Sequence, residues 1–305
     1  MSGFQRPDWR PDPGRVSPMR RLHRLRARAR PRFKGLSFNR IVPNLLTLIG
    51  LCAGLTSMRF AHEGRFGSAA VAIVVAGAID GLDGRLARLL KATSRFGAEL
   101  DSLADFLCFG VAPALVLYLW SLQRAGGFGY TPCLIFAVCM ALRLARFNAA
   151  IDSSPGPAYA YNFFTGVPAP AGAGLVLFPL FLGLEAKSLG WDWLLTVSQY
   201  PLFCAFVLIG TAFLLVSTLP VWSFKNFKVP HEYVLPLLLG AVTFAAVLIA
   251  DPWAALAVAG LIYLAMLPFS VRSFRLLRRE AEAMRGPMAE DANEVSPGAR
   301  HAGGG

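Results

Sequence analysis

Apolar residues gather in eight runs, approximately 42–60, 68–90, 99–121, 131–150, 165–184, 200–219, 232–250 and 253–271, parted by short polar or basic stretches. Runs of about 17–25 residues are long enough to cross a bilayer as helices, because each residue rises about 1.5 Å. The pattern predicts an all-α polytopic membrane protein of about eight transmembrane helices, held in residues 38–271. An even number of spans returns both termini to one side. Loops on that side would carry Arg85, Arg88, Lys91, Arg95, Arg143, Arg146, Lys225 and Lys228; the opposite loops carry Arg59, Arg65, Arg124 and Lys187. Basic residues favour the cytoplasmic side, so the termini and the richer set of loops are expected there.

Two adjacent runs are unusual in carrying acids. The second offers only twelve apolar residues, Ser68 to Ile79, before Asp80. Twelve residues rise about 18 Å, short of the roughly 30 Å hydrocarbon core, so Asp80 enters the inner leaflet. The third run opens with acids and turns apolar only from Phe106 to Trp120. Four carboxylates, Asp80, Asp83, Asp101 and Asp105, therefore meet near the cytoplasmic interface. Each would cost on the order of 2.5–3.5 kcal/mol if left isolated at the centre of a bilayer. Oxygen-only ligation suits Mg²⁺ or Mn²⁺ as the neutralising ion. The competing explanation is that the acids cap helices or pair with Arg85, Arg88 and Arg95.

Helical spacing supports one shared site. Asp80, Asp83, Gly84, Ala87 and Arg88 fall on one face, and Gly97, Asp101 and Asp105 step by four along the next helix. A short turn near Thr93-Ser94 would bring the two faces together. Gly84 and Gly97 remove side chains where a bulky ligand must approach backbone.

Composition sets the surroundings. Of 305 residues, 55% are hydrophobic, which excludes an ordinary soluble domain. The net charge of +12 is uneven: residues 1–40 hold twelve of the thirty Lys and Arg, and residues 271–305 hold six. The basic ends directly flank the hydrophobic block, which favours anionic lipid head groups as their partner. Nucleic acid is not expected, because no recognition fold accompanies the charge. Residues 1–37 are read as a basic arm, disordered or lying on the interface, and 272–305 as a basic, then polar, disordered tail. The first forty residues hold no apolar core of a cleavable signal peptide. Cys52, Cys108, Cys133, Cys139 and Cys204 lack ligand spacing and read as buried, inert thiols. His62 and His231 are expected at loops facing water.

The run Asp-x2-Asp-Gly-x2-Ala-Arg-x8-Gly-x3-Asp-x3-Asp from Asp80 to Asp105 is complete. It resembles the signature of the CDP-alcohol phosphotransferase family, integral membrane enzymes that move a phosphate-linked alcohol from a CDP donor to an acceptor hydroxyl. Three further segments resemble the membrane-embedded bacterial phosphatidylserine synthases within it. They are Ile-Val-Pro-Asn-Leu-Leu-Thr-Leu-Ile-Gly (41–50), Ala-Leu-Arg-Leu-Ala-Arg-Phe-Asn (141–148) and Phe-Phe-Thr-Gly-Val-Pro-Ala-Pro-Ala-Gly-Ala-Gly (163–174). The last is expected to break or kink the fifth helix at its start. The likeness covers about 38–175, with the first six spans as the family core.

The resemblance implies transfer of a phosphatidyl group from CDP-diacylglycerol to the hydroxyl of L-serine, releasing CMP. It implies a homodimer in a bacterial inner membrane, with the active site cytoplasmic. Asp80, Asp83, Asp101 and Asp105 would hold divalent metal, two ions being the usual number for such a set. Asp105 is also the candidate base for the serine hydroxyl, and the two roles compete. Asn44, Thr47, Gly84, Arg88 and Gly97 would contact the CDP moiety, though Asn44 alternatively reads as a helix N-cap. Arg143 and Arg146 would bind the serine carboxylate or donor phosphate; snorkelling to the interface is the competing role. Glycerol 3-phosphate, inositol phosphate or choline are the alternative acceptors, and a cation transporter is the remote alternative.

Overall fold

The computed structural model describes residues 38–151, 163–222 and 231–294. Ten helices carry the fold: α1 Phe38–His62, α2 Phe66–Leu89, α3 Arg95–Trp120, α4 Thr131–Ile151, α5 Ala169–Val176, α6 Phe178–Leu189, α7 Asp192–Ser198, α8 Pro201–Val216, α9 His231–Ala250 and α10 Pro252–Glu294. Six of them are long and apolar enough to cross a membrane. The pairs α5–α6 and α7–α8, bent by 44° and 51°, bring the total to eight if each pair is one span. The all-helical expectation holds, with one addition. A three-residue antiparallel ladder, β1 Phe163–Thr165 against β2 Pro220–Trp222, ties the entrance of α5 to the exit of α8.

Breaks fall where the backbone cannot continue. The Thr-Gly-Val-Pro turn does precede α5, and Gly166 adopts φ +80°, a conformation open to glycine. A second break at Phe178-Pro179 divides the fifth span, and Tyr200-Pro201 divides the sixth. α3 contains a π-helical turn, Phe106–Val111, directly after Asp105. Pro113 has no N–H to offer the Phe109 carbonyl one turn earlier, which favours local widening. Gly54 of α1 lies against this turn: a Cβ there would fall 2.5 Å from Cys108 Sγ. The Cys108 thiol itself donates to the Gly50 carbonyl at 3.4 Å.

The buried core is built from α1–α6, α8 and α10, with Phe109, Leu117, Phe136, Met140 and Leu215 nearly inaccessible. α9 differs, for not one residue of its apolar window is buried. α10 runs on past its span, so the expected boundary at 271 falls within one helix. The basic arm at 1–37, Lys225, Lys228 and the end of the tail lie outside the described residues. Of the cysteines, Cys108, Cys133 and Cys204 are buried, all five are free, and Cys52 is exposed rather than buried, on the outer surface of α1. His62 is exposed, as expected. In the turn between α1 and α2, Arg59 and Arg65 pair with Glu63 and hold its carboxyl below the usual range.

Candidate active site

α2 and α3 run antiparallel about a turn at residues 90–94, and Ser94 starts α3 by accepting the Gly97 N–H at 3.0 Å. This hairpin sets the carboxylates face to face. Asp80, Asp101 and Asp105 each bring an oxygen within 4.8 Å of the others. Asp80 and Asp105 come within hydrogen-bond reach.

Asp83 is placed differently. It is buried, and its Oδ2 accepts the Thr47 hydroxyl at 2.5 Å. The same hydroxyl lies 3.2 Å from the Pro43 carbonyl. The sequence suggested one quartet; the structure arranges a triplet with the fourth acid held beside it by α1. Asp83 still lines the small cavity that Asp80, Asp105 and Thr47 share.

Among the described residues, none of the four aspartates forms an ion pair with Lys or Arg, so pairing with Arg85, Arg88 and Arg95 does not account for them. Three converging carboxylate oxygens with no resident cation side chain fit a hard divalent ion such as Mg²⁺ or Mn²⁺.

The expected CDP contacts surround one side of this triplet. Asn44 lies inside α1, well past its first residue, so the N-cap reading falls. Its Oδ1 packs so closely on Gly97 that a Cβ there would sit 2.9 Å away. Gly84 opens on the other helix, with nothing within 4 Å of where its Cβ would be. Arg88 is exposed one turn further along α2. Bare backbone at Gly84 and an exposed guanidinium at Arg88 leave room for a large anionic ligand.

Arg143 and Arg146 differ in their partners. Arg146 sends Nη1 to the Val216 carbonyl at 2.8 Å, and Nη2 to Ser217 at 3.2 Å and Leu215 at 3.5 Å. It thereby caps the C-terminus of α8, whose last carbonyls lack helical partners. Gly166 fits against the same group: a Cβ would lie within 3.0 Å of the Leu215 and Ser217 carbonyls and of Arg146 Nη2. Arg143 makes one hydrogen bond among the described residues, Nε to the Val167 carbonyl at 2.5 Å. It is close enough to Asp105 for their charges to interact. Asn148 completes the α4 contribution by donating to Ser102 Oγ of α3 at 2.9 Å.

Sequence reasoning did not find the π turn, the Thr47–Asp83 bond or the α8 cap. Pro113, eight residues after Asp105, was the one legible sign of the first. The other two depend on residues 36 to 71 positions apart.

Comparison with known proteins points to one family. A family model described as CDP-alcohol phosphatidyltransferase matches residues 40–198, and a second, CDP-alcohol phosphatidyltransferase 2, matches residues 232–268. The chain is 42% identical over 246 residues to a CDP-diacylglycerol–serine O-phosphatidyltransferase of Mycobacterium tuberculosis, covering 79% of this chain and 82% of that one. It is 37% identical over 189 residues to the enzyme so named in Helicobacter pylori, covering 62% and 74%. With that of Bacillus subtilis it shares 31% over 186 residues, covering 61% and 92%. The acid motif, the helical membrane architecture and these matches agree: the chain belongs to the CDP-alcohol phosphatidyltransferase family.

Proposed function

We propose that this protein transfers the phosphatidyl group of CDP-diacylglycerol to the hydroxyl of L-serine, giving phosphatidylserine and CMP. The convergence of Asp80, Asp101 and Asp105 carries the proposal for the chemistry. The relatives named for serine transfer support the acceptor.

In this reading the serine hydroxyl oxygen attacks the phosphatidyl phosphorus of the donor. The phosphoanhydride bond breaks, CMP leaves with the bonding pair, and the serine proton passes to Asp105. Asp80, Asp83 and Asp101 would hold Mg²⁺ or Mn²⁺, with Thr47 orienting Asp83; ligation by Asp105 as well would suit two ions and compete with its role as base. The bound metal supplies charge neutralisation for the diphosphate and the departing CMP. Asn44, Gly84, Arg88 and Gly97 receive the CDP head, with open space at Gly84 and Asn44 packed on Gly97. Arg143, beside Asp105, orients the serine carboxylate. Arg146 supports the site through the end of α8.

The site then opens to the cytoplasm of a bacterial inner membrane, with both termini on that side. The uneven distribution of Lys and Arg supports this orientation, and the basic ends suit anionic lipid. Pairing of two copies through membrane helices rests on the family resemblance. A transporter would be expected to spread its acids through the membrane depth in repeated halves; here three meet at a single hairpin.

The test is CMP release from membranes carrying the protein, with CDP-diacylglycerol, Mn²⁺ or Mg²⁺, and each alcohol in turn. Serine-dependent release supports the proposal. Release only with glycerol 3-phosphate, inositol phosphate or choline would replace the acceptor, and no release with any alcohol would refute the chemistry.

A further inference from the structure

α10 lies outside the span of the acid motif, yet it brings an unpartnered hydroxyl into the membrane-embedded part of the protein. The hydroxyl of Tyr263 is fully buried and has no hydrogen-bond partner among the described residues. Interfacial anchoring does not explain it. Tyr263 stands eleven residues after Pro252 and thirteen before Leu276, about 16 and 20 Å from the two ends of the α10 span. A tyrosine belonging to an interfacial belt sits at the head-group level with its hydroxyl in water.

Three groups on neighbouring helices lie within the membrane-spanning segments and come near one another. Asp105 lies ten residues, about 15 Å, from the inner start of α3. Arg143 lies twelve residues, about 18 Å, from the outer start of α4. Tyr263 and Arg143 are close enough to interact electrostatically, as are Arg143 and Asp105. Tyr263 also lines an apolar cavity of about 310 Å³ between α2, α5, α6 and α10. Phe109, in the π turn after Asp105, is shared by that cavity and the one holding the acids.

The hydrogen bonding of Arg143 gives this proximity chemical meaning. Its Nε is spent on the Val167 carbonyl, so the planar fork is fixed in orientation, while its terminal nitrogens make no hydrogen bond among the described residues. A fixed guanidinium beside a buried unpaired hydroxyl is a receptor for a small planar anion. The open space for a nucleotide head lies at Gly84, on the side of the acids where Asn44 of α1 packs on Gly97. Arg143 and Tyr263 come instead from α4 and α10.

We propose that the Tyr263 hydroxyl, together with the Arg143 fork, binds the carboxylate of the acceptor amino acid and makes α10 part of the acceptor site. This inference rests on the acceptor reading above. The acceptor hydroxyl is then directed to Asp105, and Tyr263 itself takes no proton in the reaction.

The decisive variant is Tyr263→Phe in the full chain, because it keeps the ring and removes only the unpaired group. A hydroxyl with a purely structural bond would lower stability when lost; an unpaired one leaves the thermal midpoint equal or higher. The serine KM is expected to rise about tenfold, the worth of one charge-assisted hydrogen bond, with the CDP-diacylglycerol KM within about twofold. Preference in kcat/KM for serine over serinol, which has a hydroxymethyl in place of the carboxylate, should shrink by about the same factor. An unchanged serine KM, an equal rise in both KM values, an uncompressed preference or a lowered thermal midpoint would overturn the proposal. Should the unaltered protein use a different alcohol, the serine reading fails on that result alone. The KM split is then read with that alcohol: a rise confined to it supports Tyr263 in the acceptor site, and any other pattern overturns it.

Discussion

Arg143 and Arg146 stand one turn apart on α4, yet they serve two regions of the molecule. Arg146 turns to the end of α8 and meets three backbone carbonyls. Arg143 spends a single nitrogen on Val167 and lies close enough to Asp105 for their charges to interact. Identical side chains in one short motif thus do different work. One completes a helix whose last carbonyls would otherwise be orphaned inside a membrane protein; the other bonds one carbonyl and is the proposed anchor for the acceptor. The partner atoms decide the role, and residue type alone does not.

Substitutions on either side should have separable effects. Asp105→Asn, on the acid side, should have the largest effect. It should lower turnover by roughly 10²–10⁴ while CDP-diacylglycerol binding persists, as for loss of a general base. Binding lost together with turnover would make Asp105 a metal ligand first. Arg146→Ala comes next. Three charge-assisted contacts disappear, costing about 3 kcal/mol of stability, read as a lower midpoint of thermal inactivation. Protein that remains folded should keep both KM values. Intact stability with a raised serine KM would move Arg146 to the substrate side.

Arg143→Lys keeps the positive charge near Asp105 but loses the planar fork. The serine KM should rise about tenfold with little change in thermal midpoint, and equal rises in both KM values would refute the assignment. Gly97→Ala should be the mildest change. A methyl group there must push Asn44 aside, so the CDP-diacylglycerol KM should rise about threefold, a shift of well under 1.4 kcal/mol, while the serine KM holds. A selective rise in the serine KM would remove Asn44 from the donor side.

How much of this could be seen in the chain alone follows from how local each feature is. The spans were legible because apolar runs of bilayer length leave few alternatives, and eight were expected where six helices and two bent pairs occur. The meeting of Asp80, Asp101 and Asp105 was legible because spacings of three and four place side chains on one helical face. Withdrawal of Asp83 was not, since Thr47 reaches it from another helix. The roles of Arg143 and Arg146 were equally hidden, because Val167 and the α8 carbonyls are brought to them only by the packed fold. Tyr263 gave no sign in sequence, where the last spans looked like plain hydrophobic helices. Its burial without a partner is a property of packing.

If the acids hold a divalent ion, the reaction must depend on it. Protein stripped with a chelator, then freed of it, should release essentially no CMP from CDP-diacylglycerol and serine, and Mg²⁺ or Mn²⁺ should restore the reaction. Asp80→Asn and Asp101→Asn should raise the metal concentration needed for half-restoration. Full turnover by the stripped protein, with no response to added metal, would contradict the account.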